Sequence, residues 1–351
     1  MIDFRYHLVS IIAVFLALTV GLVLGTTMLQ DPLLNTLKSE TADLRGTSED
    51  LRAERDVADS VNTGADEMAE SLSEDMLEER LYGLGVALVL VPGTDPEIAA
   101  ALEARVEEAG GEVVGRVEIS ENFVDPTNAT SIDELATQVS SDPEELSGTP
   151  YENAGTELAR ALAGGTDAGG SDDAKSSLAA FDKGGIVSFS GDPAGSADAV
   201  FVLAPSLDVS SEPEGASETA IVALDELARA LHDGVGPTVL AGDTSSAAEE
   251  GTLTLVRAED PPYSTVDVVG RPLGDIVAVL VLAAAVEGDE GAYGIGEDTR
   301  GFLPDPLPKT QESGAPDDED DPGEVDDPGE VDEPDGRGFE DEARRTVPDG
   351  E

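Results

Sequence analysis

Residues Leu8 to Leu29 form a run of 22 residues without a charge, almost at the start of the chain. A helix of that length measures about 33 Å at 1.5 Å per residue, enough to cross a bilayer core of roughly 30 Å. Backbone polar groups in lipid must be satisfied within the segment, so a single isolated span has to be a helix. The flank ahead of the run carries Arg5 and the α-amino group against Asp3, a weakly positive lead. Positive flanks stay in the cytoplasm, which predicts a cytoplasmic N-terminus and an exported remainder, although Lys38 and Arg45 weaken the bias. A cleaved signal peptide is the competing reading. It calls for an apolar region of about 7–15 residues ending in a small-x-small site, whereas this run is longer and Gly25-Thr26-Thr27 is a poor site. The expectation is an uncleaved single-pass anchor over 1–30. Within it Gly21 and Gly25 form a Gly-x-x-x-Gly, a spacing that lets two helix backbones approach closely.

Asp31-Pro32 supplies an N-cap and a first-turn proline, so a second helix is predicted from about Leu33 to Leu81, within a stalk over 31–82. Leu37, Leu44, Leu51, Ala58, Ala65 and Leu72 repeat every seven residues as a d row. The a row is Leu34, Thr41, Ser48, Arg55, Asn62, Ala69 and Met76. An apolar d row beside a half-polar a row reads as a weak parallel coiled coil, strongest between Leu34 and Leu51, and predicts a parallel homodimer or higher homo-oligomer. The alternative is one long helix folding back on the downstream domain. Gly46 and Gly64 are its weak points, each costing about 1 kcal/mol against alanine.

From Gly83 the period changes. Leu84–Val91 is a short all-apolar run, as a buried parallel strand requires. Thr94 or Asp95 caps a helix with Pro96 in its first turn, and Glu112–Ile119 is the next strand, completing a βαβ unit. Helical pieces follow near Ser131–Val139 and Asn153–Leu162, then a Gly- and Asp-rich spacer over Gly164–Asp173. Strands are predicted at Gly185–Phe189, Ala199–Leu203 and Thr238–Ala241, with a helix over about Ser217–Leu231. This alternation predicts an α/β domain over 83–308 with a mostly parallel sheet. Ile276–Val286 is apolar for 11 residues, too short to span a bilayer, and reads as a buried helix. From Lys309 to Glu351 the chain is acidic, with Asp-Asp-Pro-Gly-Glu-Val twice in tandem, and is predicted to be a disordered tail.

Two stretches carry a resemblance. The opening MIDFRYHLVSIIAVFLAL followed by VGLVLGTT, and YSTVDVVGRPLGDIVAVLVLAAAVEG followed by YGIG and FLP, resemble the actinobacterial copper transporter family, from residue 1 to about 308. That resemblance implies an anchor, a coiled coil and an α/β region. It implies copper homeostasis through a channel-forming envelope protein, with a copper ion as the transported substrate. It also implies a second role, as a non-enzymatic partner that regulates cell-wall hydrolysis.

The residues themselves point to no catalysis. The first strand is followed by Val91-Pro92-Gly93-Thr94-Asp95, not by Gly-x-Gly-x-x-Gly, and neither the phosphate loop nor the Gly-x-Ser-x-Gly elbow occurs. Gly242–Ser246 offers hydroxyls after a strand but suits ordinary turn chemistry. There is no cysteine, and the two histidines are His7 and His232. Met68 and Met76 lie eight apart on the long helix and fit packing in or beside the seam better than a soft-metal site. No bound cofactor is expected.

Charge adds a last constraint. The net charge is −57, of which the 43 residues from Lys309 onward, with 18 acids against 4 bases, carry −14 and the rest −43. Nucleic-acid binding is disfavoured, since phosphate contacts need clustered Lys and Arg. We read the acidity as adaptation to high salt, with a cation reservoir as the rival reading. Repulsion among carboxylates is screened as the Debye length falls from roughly 30 Å at 0.01 M to roughly 3 Å at 1 M. The melting temperature should therefore rise between 0.01 and 1 M potassium chloride. A flat or falling trend by circular dichroism would contradict the saline reading.

Overall fold

The computed structural model describes residues 3–163, 171–206 and 218–311. The predicted tail from residue 312 onward and the spacer residues 164–170 lie outside them.

The first element, α1 (Asp3–Leu77), is one helix of 75 residues, about 110 Å long. The helix break expected at Asp31-Pro32 is not there. A proline removes one backbone bond and crowds the carbonyl four residues back, but helix-forming stretches on both sides carry the helix through it. The segments expected as anchor and stalk are thus one continuous helix.

After a turn at Gly83 (φ 74°) the sheet begins. The strands are β1 (Gly85–Leu90), β2 (Glu112–Ile119), β3 (Val187–Gly191), β4 (Ala199–Leu203), β5 (Thr238–Ala241), β6 (Ser264–Val266) and β7 (Ala292–Tyr293), in the order β3-β2-β1-β4-β5-β6-β7. All neighbours pair in parallel except β2 and β3. The expected mostly parallel α/β domain is present. All six residues of β1 are buried, as its apolar run requires.

The helices sort to two faces. On one face α3 (Glu121–Val124), α4 (Ala129–Val139), α5 (Pro150–Leu162), α6 (Ser171–Lys183), α7 (Glu218–Gly234) and α8 (Thr252–Arg257) meet Ala87 and Val89 of β1 and Val200 and Val202 of β4. On the other, α2 (Pro96–Glu108), α9 (Pro272–Val286) and the end of α1 meet Val86, Leu88, Phe201 and Val266. Strand alternation explains the division, since successive side chains point to opposite faces. The chain between β2 and β3 keeps to the first face and returns beside Ile119, which pairs with Val187, so β3 has to run backwards.

The apolar run in α9 is a buried helix, with every residue from Gly274 to Ala285 buried. Its cover includes α1, whose Ala69, Ser73 and Leu77 are buried against the domain. Two a-row residues, Ala69 and Met76, therefore belong to this core, whereas Leu72 of the d row remains 38 % exposed. If the last turns of α1 are structural, Leu77→Ala should cost about 2–5 kcal/mol, the usual range for a buried leucine. Chemical denaturation would read the loss, and a cost near zero would remove α1 from the core.

Candidate functional site

In open α/β sheets, ligands bind beyond the carboxyl ends of the strands where the chain order reverses. Here that switch point lies between β1 and β4. Backbone contacts bridge the two strand ends. The Val91 amide (3.3 Å) and the Thr94 hydroxyl (2.8 Å) both donate to the Leu203 carbonyl. The Ser206 amide donates to Gly93 at 3.1 Å. Asp95 caps α2, accepting from the Glu97 amide at 2.9 Å, so an acid already occupies the helix end where a phosphate would sit. At the next strand end the Gly242–Ser246 hydroxyls serve the turn itself: Ser245 donates to the Asp243 carboxylate and Ser246 to the Asp243 carbonyl, both at 2.5 Å.

The two stretches that carry the C-terminal resemblance meet at Asp267. Its carboxylate accepts from the Ile295 amide at 2.7 Å and the Gly296 amide at 3.1 Å, and pairs with Arg257 Nη1 at 2.5 Å. Arg257 also donates to the Thr265 hydroxyl at 2.8 Å and to the Tyr293 carbonyl at 3.0 Å. Both partners are buried, with side chains 4 % and 0 % exposed. A buried pair is costly unless its remaining valences are filled, and here they are. Gly294 (φ 124°) makes the approach possible, because a Cβ there would lie 1.8 Å from Asp267 Oδ1. The sequence alone offered Asp267 as a strand residue and gave no role to Arg257.

A second cluster joins stalk to domain. Arg271 donates to Asp66 at 2.5 and 2.8 Å. Arg105 pairs with Glu70 and with Glu108, the latter at 2.5 Å, and Ser73 donates to Glu108 at 2.5 Å. Beneath them Asp275, buried in the first turn of α9, accepts from the Gly270 amide at 2.8 Å. The chain also returns here: Arg80 donates to the Pro308 carbonyl and the Gln311 amide to Glu79.

The predicted assembly residues all sit on α1. Gly21 and Gly25 lie one turn apart with no atom within 4 Å of a Cβ built on either. Leu37, Leu44 and Leu51 are 60 %, 71 % and 60 % exposed in the single chain. The side chain of Leu34 lies outside those described. Met68 is exposed while Met76 packs against the domain core, and the histidines occupy separate elements, α1 and α7. Among the described residues no group of three or more His, Asp or Glu side chains is placed to hold a metal ion.

Asp275 yields a pH test. Burial pushes its carboxyl up to about 6 from 3.8; Asp66 and Glu70 add to the rise, while the Gly270 amide and Arg105 oppose it. A raised carboxyl gives stability that is complete below its unfolded value and lost as pH rises through about 6. Asp275→Asn keeps an acceptor for Gly270 and removes the charge. Its stability gain over the parent should grow between about pH 4 and 6 and then level off. A difference that is constant across that window, by denaturant titration, would reject the assignment.

The comparisons bear on the whole architecture. Residues 1–304 match the family described as copper transport outer membrane protein, MctB. Copper transporter MctB of Mycobacterium tuberculosis, and likewise that of Mycobacterium bovis, is 33 % identical over 132 residues, 38 % of this chain and 42 % of the relative. The Mycobacterium leprae protein of the same name is 33 % identical over 141 residues, 40 % of this chain and 44 % of its own. The chain thus spans less than half the length of the curated relatives it matches. A helix at Phe4–Gly25 that is long and apolar enough to cross a membrane fits the envelope setting in that description. With 304 of its 351 residues covered, the chain belongs to the MctB copper transport outer membrane protein family.

Proposed function

We propose that this chain is a single-pass, membrane-anchored envelope protein acting in copper homeostasis, with a cytoplasmic N-terminus and the α/β domain outside. The observation that carries the reading is the family match over residues 1–304 in a chain whose apolar Phe4–Gly25 helix runs unbroken into the domain. About 60 Å of helix separates Gly25 from Asp66, the first α1 residue bonded to the domain, so the domain stands well clear of the bilayer. A copper ion is the cargo. Copper(I) prefers sulfur and copper(II) prefers imidazole; Met68 is exposed, Met76 packs against the domain core, and His7 and His232 lie on different helices. One helix encloses no lumen, so movement of copper calls for an oligomer or a partner. The Leu34, Leu37, Leu44 and Leu51 row, with Gly21 and Gly25, supplies a parallel homodimer seam.

The exposed Leu37-Leu44-Leu51 row favours a second reading, a non-enzymatic scaffold that presents the domain to a cell-wall hydrolase. Cellular copper in a deletion strain separates the two. Deletion should raise copper, and the full chain should restore it, whereas a chain lacking residues 1–30 should not. Leu44→Ala with Leu51→Ala should remove about 2–5 kcal/mol of contact per leucine and turn a dimer into a monomer in light scattering. Unchanged copper together with a cell-separation defect would select the scaffold instead.

A further inference from the structure

At the switch point, between the ends of β1 and β4 and the face of α7, lies a cavity of about 60 Å³. Its walls come from Val91 after β1, Ile119 and Phe123 around the end of β2, Ile221 and Leu224 of α7, and Thr252 at the start of α8. None of its lining side chains carries a charge. Thr252 is 1 % exposed, and among the described residues its buried Oγ1 has no hydrogen-bond partner. A buried hydroxyl left unpaired costs free energy that an apolar residue of the same shape would not. Val91, Phe123 and Leu224 around it are well buried, whereas Ile221 is half-buried and marks the approach from solvent.

We infer that this cavity is a binding site for a small, neutral, branched aliphatic molecule bearing one hydroxyl or carbonyl oxygen, which Thr252 engages. The volume accommodates about four water positions, or a ligand of about four to six heavy atoms. Uncharged walls favour an apolar body, and desolvating an ion there would be uncompensated. The negative field of the protein disfavours anions further. Thr252 Oγ1 both donates and accepts, so it suits an alcohol or a ketone equally. The site is independent of copper and of the stalk.

The test uses the full chain in lipid nanodiscs with methyl-labelled Ile, Leu and Val, titrated with 2-methylpropan-1-ol and, separately, with 2-methylpropanoate, its anionic counterpart. The alcohol should give saturable shifts confined to methyls such as those of Ile119, Ile221 and Leu224, with at least ten-fold weaker binding of the anion. Thr252→Val keeps the shape and removes the hydroxyl. It should weaken the alcohol at least three-fold while raising the melting temperature of the ligand-free protein. Linear, scattered shifts, equal binding of the anion, or an unchanged Thr252→Val affinity would each overturn the proposal. The two wild-type titrations decide the matter even should the variant not fold.

Discussion

Burial of α9 sets the terms for the rest of the structure. A helix that runs from Ile276 to Val286 without a polar side chain has no face to give to water, so it has to be covered all round. The sheet covers one side through Phe201, Val239 and Val266, and α2 covers part of another with Leu102 and Val106. What remains is closed by Ala69 and Leu77 at the end of the long helix and by Leu81 in the turn after it. Removing a membrane-proximal stalk would ordinarily leave a domain intact. Here its last turns are core, and the Arg271–Asp66 and Arg105–Glu70 pairs fix them along the rim. Exposed pairs of this kind contribute little each; their value lies in orienting a seam already held by apolar contact.

The strand order invites a nucleotide reading, and the strand ends refuse it. Thr94 and the Val91 amide spend themselves on Leu203, and Asp95 turns the start of α2 acidic. At the opposite end of the sheet the polar effort goes into the Asp267–Arg257 pair, which ties β6, β7 and α8 together. Fold order alone says nothing of chemistry.

Much of the fold was legible from residue order. β2, β4 and β5 fall on the expected residues, and α9 and β1 follow directly from apolar runs that only burial can accommodate. The misses have physical causes. The continuity of α1 through Pro32 depends on propagation from both flanks, which a local rule about proline cannot see. The Ser171–Lys183 helix hides behind Ser, Asp and Lys, with only Ala174, Leu178 and Phe181 buried at helical spacing. The reversal of β3 depends on where α3 to α6 deliver the chain, a tertiary fact. Of the Asp267 network, the sequence showed the Ser-Thr-Val-Asp and Tyr-Gly-Ile-Gly strings but not that one carboxylate joins them. Arg257 carried no local signal beyond being a charge in an otherwise apolar stretch, Leu253 to Val256 aside from Thr254.

Acidity and rigidity work together in this architecture. With −43 on residues 1–308, the domain repels itself at low salt, and few bases are available to offset that. Three of the paired arginines hold structural joints: Arg257 at the sheet edge, and Arg105 and Arg271 at the junction with α1. At the junction they offset part of the charge of Asp66, Glu70 and Glu108, above the buried Asp275. A helix that continues from an apolar span into a core, pinned there by the chain's scarce cations, couples the orientation of the domain to that of the span. Any assembly made through Gly21, Gly25 or the leucine row then fixes how the domains face one another, with no flexible linker to absorb a mismatch.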